Sequence, residues 1–339
     1  MHSTCLKLEN SNYGEAGGNG IGFKQGLPIW RVSAGRLSLH IGDVAGFNRL
    51  HQLGADLSPL QWTDLHRAVA FGQQADVKVL ASSPVAINAK RSGHELSPWL
   101  LSIGLGDLGK IALLAELGAD LTQTGRCGFS PLHLAAKFGR VDVMSWLLDS
   151  GANVQAETDF GETPLHCAVQ WDHCGAAAAL IHASANSSQQ NHVQMQPIHE
   201  ALSLPALQLL VEEGGADVNA ISGCGEWPLK SAAEANDTTQ ITWLLRRGAE
   251  VDRTATGETA LHAAVRRDSR ESVKLLLDAG ANPNAQDVDG WTPLLEAISR
   301  ETIGMLLESG AQTAITDQEG WGAEYWIKDP ILLAALKGK

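Results

Sequence analysis

A four-residue phrase that returns at almost constant spacing constrains this chain more than any other feature. It reads Thr63-Asp-Leu-His66, Ser97-Pro-Trp-Leu100, Ser130-Pro-Leu-His133, Thr163-Pro-Leu-His166 and Gln196-Pro-Ile-His199. It continues as Trp227-Pro-Leu-Lys230, Thr259-Ala-Leu-His262 and Thr292-Pro-Leu-Leu295. Successive fourth positions lie 34, 33, 33, 33, 31, 32 and 33 residues apart. A second phrase keeps the same phase: Gly118-Ala-Asp120, Gly151-Ala-Asn153, Gly215-Ala-Asp217, Gly248-Ala-Glu250, Gly280-Ala-Asn282 and Gly310-Ala-Gln312. Two markers in one phase imply a tandem array, and a fixed period of this size implies stacked units rather than a globule.

The physics of one unit can be read from Gly128 to Ala156. Ser130 is an N-cap candidate, and Pro131 brings the fixed φ and missing N–H that suit the first helical position. A short helix then runs to Gly139, where the chain reverses. Val141, Met144, Leu147 and Leu148 fall near one face of a second helix, which Gly151 ends. The polar stretch from Asn153 to Gly161 reads as a projecting turn. A unit this small cannot bury its own apolar face and must stack on its neighbours.

These residues resemble the ankyrin repeat family, whose marks are a period of about 33 residues and a T-P-L-H-x-A helix start. The resemblance spans roughly residues 35 to 338. It implies an all-α solenoid of about nine stacked helix-turn-helix units with projecting β-turn or hairpin loops. Gly35 to Asp56 reads as a short first repeat, and residues near 321–337 as a terminal capping helix. Residues 1–34, with a Gly-rich run from Gly14 to Gly26, read as a flexible arm. The stretch from His182 to Gln196 lacks the Gly-Ala-Asp phrase, so it is expected to interrupt or bend the array.

The composition narrows function. Lys+Arg 25 against Asp+Glu 38 gives a net charge of -13, which argues against a nucleic-acid binder and for a basic or neutral protein partner. No run approaches the ~18 apolar residues of a membrane span. Cys 5 in so long a chain is too sparse for a disulfide framework and fits a cytoplasmic, reducing setting. Nuclear residence and secretion as an effector are compatible alternatives.

Few residues suggest catalysis. His40, His66, His133, His166, His199 and His262 occupy the fourth position of the repeated phrase. In the family that histidine is implied to hydrogen-bond neighbouring backbone. His166-Cys167 and His173-Cys174 have zinc-like chemistry, but the repeat phase places them on different elements, and no metal site is expected. Gly17 to Gly22 lacks the Gly-Lys-Ser/Thr ending of a phosphate loop. No cofactor is expected.

Binding is the better-supported role. The residue before each first-helix glycine gives a column of Phe71, Leu105, Phe138, Trp171, Leu204, Ala235, Arg267 and Arg300, with Arg266 beside it. A second column in the turns holds Trp62, Leu96, Phe129, Glu162, Met195, Glu226, Glu258, Trp291 and Trp321, with Phe160 nearby. The resemblance implies that turns and first helices carry the partner surface. Aromatic residues there suit interface anchors, and glutamates would steer a basic partner. The partner-binding set is therefore Trp62, Phe71, Phe129, Phe138, Phe160, Glu162, Trp171, Glu226, Glu258, Arg266, Arg267, Trp291, Arg300 and Trp321. The expected function is a non-enzymatic scaffold, adaptor or inhibitor, monomeric when free, binding a protein through the groove and turn tips. A narrower reading is a cytosolic immunity protein that neutralises a basic toxin or enzyme. The rival is an enzyme with Glu226, Glu234, Glu258 and Arg267 in the groove, a set equally explained as a charged rim.

Overall fold

A computed structural model describes residues 22–24, 27–29, 62–90 and 96–327. The short first repeat, His40 and most of the terminal helix expected near 321–337 lie outside these residues. Where the arm was expected, Gly22–Lys24 (β1) pairs antiparallel with Leu27–Ile29 (β2), Gly22 opposite Ile29. The rest is helical and divides after Asp159 into two compact units.

In the first unit the helices are α1 (Asp64–Phe71), α2 (Gln74–Leu80), α3 (Pro84–Asn88), α4 (Pro98–Leu105), α5 (Leu108–Glu116), α6 (Pro131–Lys137) and α7 (Val141–Asp149). Helix α4 packs against α1 on one side and α6 on the other. That explains why all of Pro98–Leu105 is buried, Trp99 included. Trp99 meets Trp146 edge-on at 6.3 Å.

The second unit contains α8 (Pro164–Gln170), α9 (Cys174–His182), a 3-10 turn (Pro197–Glu200), α10 (Leu204–Gln208), α11 (Pro228–Glu234) and α12 (Thr238–Arg246). It continues through α13 (Ala260–Arg266), α14 (Arg270–Asp278), α15 (Pro293–Glu296), α16 (Arg300–Glu308) and α17 (Ala323–Trp326). First helices lie against first helices, as in α11 with α13, and second against second, as in α12 with α14. Ala232, Ala233, Ala263 and Ala264 are buried, so their small side chains permit the close approach. Trp227, Ile241, Leu244, Leu261, Val273, Leu276 and Ile303 fill the space between layers.

The repeated phrase works as a cap and a cross-link at once. Thr259 Oγ1 accepts from His262 N at 3.4 Å, while His262 Nδ1 accepts from Thr259 N at 3.1 Å. This leaves Nε2 to donate to Trp291 O, 3.1 Å away in the next repeat. His66 reaches Leu96 O and His166 reaches Met195 O in the same way, whereas His199 bonds Ala220 O, only 21 residues on. Burial lowers the pKa of both His199 and His262, and the carbonyls they bond only partly offset it. These histidines are neutral struts.

A second cross-link comes from asparagine amides. Asn219 Nδ2 donates to Gly248 O at 3.1 Å and its Oδ1 accepts from Glu250 N at 2.9 Å. Asn88 and Asn284 make the same pair of bonds, to Gly118 and Asp120 and to Gly310 and Gln312.

The segment 182–196, expected to interrupt the array, keeps the local geometry of its equivalents. Ala185 N donates to Leu180 O at 2.9 Å, as Ala152 N does to Leu147 O. Ser184 takes the left-handed φ of 67° that glycine holds elsewhere. The glycine is missing from the phrase, but the conformation it serves is retained at a steric cost of about 1 kcal/mol.

Candidate binding surface

The residues that precede each cap and line each first helix come together most densely in the second unit. Lys230 stands where five of the other seven copies place histidine, and its side chain is buried. Its ammonium lies 2.6 Å from Glu226 Oε1, 3.3 Å from Glu258 Oε2 and 4.0 Å from Glu234 Oε1. It also sits 5.7 Å from the centre of the Trp227 ring. Burial opposes the charged form of Lys230, yet the Glu226 hydrogen bond and the surrounding carboxylates outweigh it and raise the pKa.

Arg266 extends this network. It hydrogen-bonds Glu258, approaches Glu234 Oε1 at 3.8 Å and reaches Glu296 Oε1 at 3.5 Å. Arg267 lies 3.8 Å from Glu234 Oε2. Burial pushes Glu258 up, but Arg266 and Lys230 together bring it below the usual carboxylate range. Glu296 behaves in the opposite sense. Burial pushes it up to about 7, Arg266 draws it down and Glu258 and Asp287 add repulsion. Its Oε2 is buried with no hydrogen-bond partner. Glu200, on the 3-10 turn, has a buried Oε2 in the same condition and is pushed up to about 8 by burial and by Glu162.

The expected site residues thus separate into groups. Glu226, Glu258, Arg266 and Arg267 converge, but as partners of one another rather than as separate acidic and basic stripes. Lys230, Glu200 and Glu296 were not among the expected set. Lys230 was visible as a departure from the repeated phrase, whereas the pairing of residues 28 positions apart arises only from stacking.

Other expectations need correction. Trp62 is only 6% exposed and packs on His66 and Phe71, with ring centres 6.2 and 6.0 Å away. Glu162 is 5% exposed. Both side chains are buried, unlike the half-buried Phe129 and Trp291 and the exposed Trp321 at the same position in other copies. Leu105 is likewise buried. Leu204 and Arg300 do not end first helices; they open α10 and α16. Eight residues separate Gln196 from Leu204 and Thr292 from Arg300, against eleven from Ser130 to Val141. The first helix has lost a turn in both repeats, and the column shifts onto the second helix.

Phe71, Phe129, Phe138, Phe160, Trp171 and Trp291 are half-buried. Phe129 meets His133 edge-on at 5.7 Å and has Lys137 Nζ 5.5 Å from its ring centre. Phe138 and Trp171 cap the C-termini of α6 and α8. Trp291 leans on Trp326, with ring centres 4.5 Å apart, and Trp321 is exposed. His166 and Cys167 lie within α8, whereas Cys174 opens α9.

A family model described as ankyrin repeats matches three times, over residues 100–192, 195–287 and 229–317. The chain belongs to the ankyrin repeat family. Ankyrin repeats are protein–protein interaction modules, and the family is typically non-enzymatic. The human ASB11 ankyrin repeat domain has 27% sequence identity and a TM-score of 0.58, with 64% of this chain and 99% of that one covered. The ankyrin repeat domain of Bcl-3 has 26% identity and a TM-score of 0.53, with 73% and 98% covered. Among full-length relatives, the Neurogenic locus Notch protein of Drosophila melanogaster is 40% identical over 106 residues, 26% of this chain and 4% of that protein. Human SH3 and multiple ankyrin repeat domains protein 2 is 42% identical over 72 residues, 21% of this chain and 4% of that protein. The chain therefore matches only a small part of these relatives. No helix among the described residues is long and apolar enough to cross a membrane.

Proposed function

We propose that this ankyrin repeat chain is a non-enzymatic scaffold, adaptor or inhibitor that captures a basic segment of another protein. The contact surface is the turn and first-helix face of the second unit. The observation that carries this reading is the network around Lys230 and Arg266, which has more carboxylates than cations. Glu296 adds a buried oxygen with no partner at the edge of that network. An approaching guanidinium or ammonium group would be drawn to this excess of carboxylates, and a net charge of -13 would speed the encounter. Trp171 contributes an apolar edge at the end of its helix. The enzyme reading loses ground because Glu226, Glu234, Glu258 and Arg267 are engaged in ion pairs. The thiols of Cys127, Cys167, Cys174 and Cys224 are not in disulfides, which suits a cytoplasmic setting.

The test is cross-linking of the captured complex with a water-soluble carbodiimide, which couples carboxylates directly to the partner's lysines with loss of water, followed by peptide mapping. Cross-links from the partner at Glu226 or Glu258 are expected. Cross-links confined to Asp278, Glu301 and Glu308, on second helices, would place the interface elsewhere and overturn the assignment. An inhibitor of a basic toxin or enzyme is the narrower form of this reading, supported by the same net charge. It requires that the captured protein lose activity as the chain is titrated in.

A further inference from the structure

The last described turn and helix of the second unit leave three aromatic rings at the surface. Trp321 is 42% exposed, Tyr325 51% and Trp326 37%. Trp321 and Tyr325 stack with centroids 4.1 Å apart and planes 25° apart. Tyr325 meets Trp326 at 5.0 Å and 88°, so the rings form a corner, and Trp326 in turn rests on Trp291.

The polar edges of this corner are already engaged by carboxylates. Trp326 Nε1 donates to Asp317 Oδ2 at 3.1 Å, and Trp321 Nε1 donates to Glu319 Oε2 at 3.2 Å. The other oxygen of Asp317 accepts from Trp321 N at 2.8 Å and Glu319 N at 3.0 Å, which fixes the turn. What faces solvent is therefore ring surface, with the exposed Glu319 carboxylate at its margin and Asp317 buried beneath it. The face of an indole carries the negative lobe of its quadrupole and attracts cations, most strongly among the aromatic side chains. Donation of the indole N–H to an anion adds electron density to that face. An aliphatic group would gain only from contact with the rings, whereas a cation gains from the rings and from the exposed Glu319 carboxylate together.

We propose that the corner formed by Trp291, Trp321, Tyr325 and Trp326, with Asp317 and Glu319, is a receptor for one cationic side chain on the partner's basic segment. A guanidinium fits better than an ammonium, because it is planar, weakly hydrated and able to stack on a ring while bonding a carboxylate. The proposal rests on the protein-binding reading above and adds to it a specific anchor at one end of the carboxylate-rich surface.

The experiment is isothermal titration calorimetry of the full chain with an acetylated, amidated hexa-arginine peptide. Hexacitrulline, which has nearly the same shape without the charge, is the comparison. Saturable binding at least tenfold tighter for hexa-arginine is expected. Tyr325→Leu and Trp326→Leu should each weaken it at least fivefold at an unchanged melting temperature, and Tyr325→Phe should restore most of it. Equal affinity for hexacitrulline would overturn the proposal, because the corner would then be an apolar dock. Hexa-arginine binding unchanged in both folded leucine variants would also overturn it, by assigning the affinity to the net charge of the chain. So would a parent chain that sediments as a dimer and becomes monomeric with Trp326→Leu, since a second copy would then cover the rings. Failure here with the carbodiimide cross-links retained would remove the anchor alone, whereas loss of those cross-links would remove the broader reading.

Discussion

At position 230 a lysine replaces the strut histidine and exchanges a neutral bond to the next repeat for a charged one. His262 holds its neighbour through one carbonyl, whereas Lys230 holds its neighbour through Glu258 and its own repeat through Glu226. Removing the ammonium would leave Glu226, Glu234 and Glu258 facing one another in a partly buried space. Lys230→Met is expected to destabilise the chain by about 3 kcal/mol near pH 8. The loss should shrink towards pH 3, below the usual carboxylate range, where Glu258 takes up its proton. Urea denaturation at the two pH values checks it, and an equal loss at both would mean that packing rather than charge explains the effect. The substitution itself was legible in the sequence as Trp227-Pro-Leu-Lys230. Its consequence was not, because Glu258 becomes a neighbour only when one repeat is laid on the next. Burial of Trp62 and Glu162 escaped sequence reading for the same reason.

The two shortened first helices show how an element compensates for missing length. In both repeats the second helix is capped by a serine that an aspartate from the preceding repeat holds in place. Ser203 Oγ donates to Asp172 Oδ1, and Ser299 Oγ donates to Asp268 Oδ1, each at 2.5 Å. Asp172 and Asp268 both sit at positive φ in the reversal between helices. Ser299 also accepts from Thr302 N at 3.2 Å, and Thr302 Oγ1 donates to the same Asp268 oxygen. Ser299→Ala is expected to cost about 1 to 2 kcal/mol through loss of the cap and of the aspartate bond. Equilibrium denaturation of the variant measures this, and a change within error would mean that Thr302 alone holds the junction. Helix positions and phase were readable from the repeated phrases. The lost turn was not, because the 31 residues from His199 to Lys230 do not say which element gave up the residues. Arg300 was therefore assigned to the wrong helix.

Over the whole molecule, buried titratable groups pull stability in opposite directions. His199 and His262 have pKa values lowered below 6.5, so the unfolded chain binds protons more readily and their contribution is lost as pH falls through that range. Glu200 and Glu296 are raised from 4.5 to about 8 and about 7, so the folded chain holds protons that the unfolded chain releases. Their contribution is complete below pH 4.5 and disappears as pH rises towards 8. At about 1.4 kcal/mol per pH unit, Glu200 costs on the order of 3 kcal/mol at neutral pH. Glu200→Gln is therefore expected to raise the melting temperature at pH 8 and to leave it nearly unchanged at pH 4.5. Calorimetric scans at the two pH values decide this, and an equal shift at both would exclude the buried carboxyl as the cause. The net charge of -13 was legible in the sequence, but the burial of particular carboxylates depends on which neighbours cover them.

The paired amide bonds of Asn88, Asn219 and Asn284 have a further consequence. Each joins one copy to the next through the same backbone atoms, so the joint is indifferent to which copies it connects. A whole repeat could be inserted or excised at such a joint without redesigning the seam. Lys230 is not indifferent, because it fits only a successor that offers a glutamate at the place of Glu258. Length is therefore interchangeable in this chain, while the order of the copies is recorded in its charged side chains.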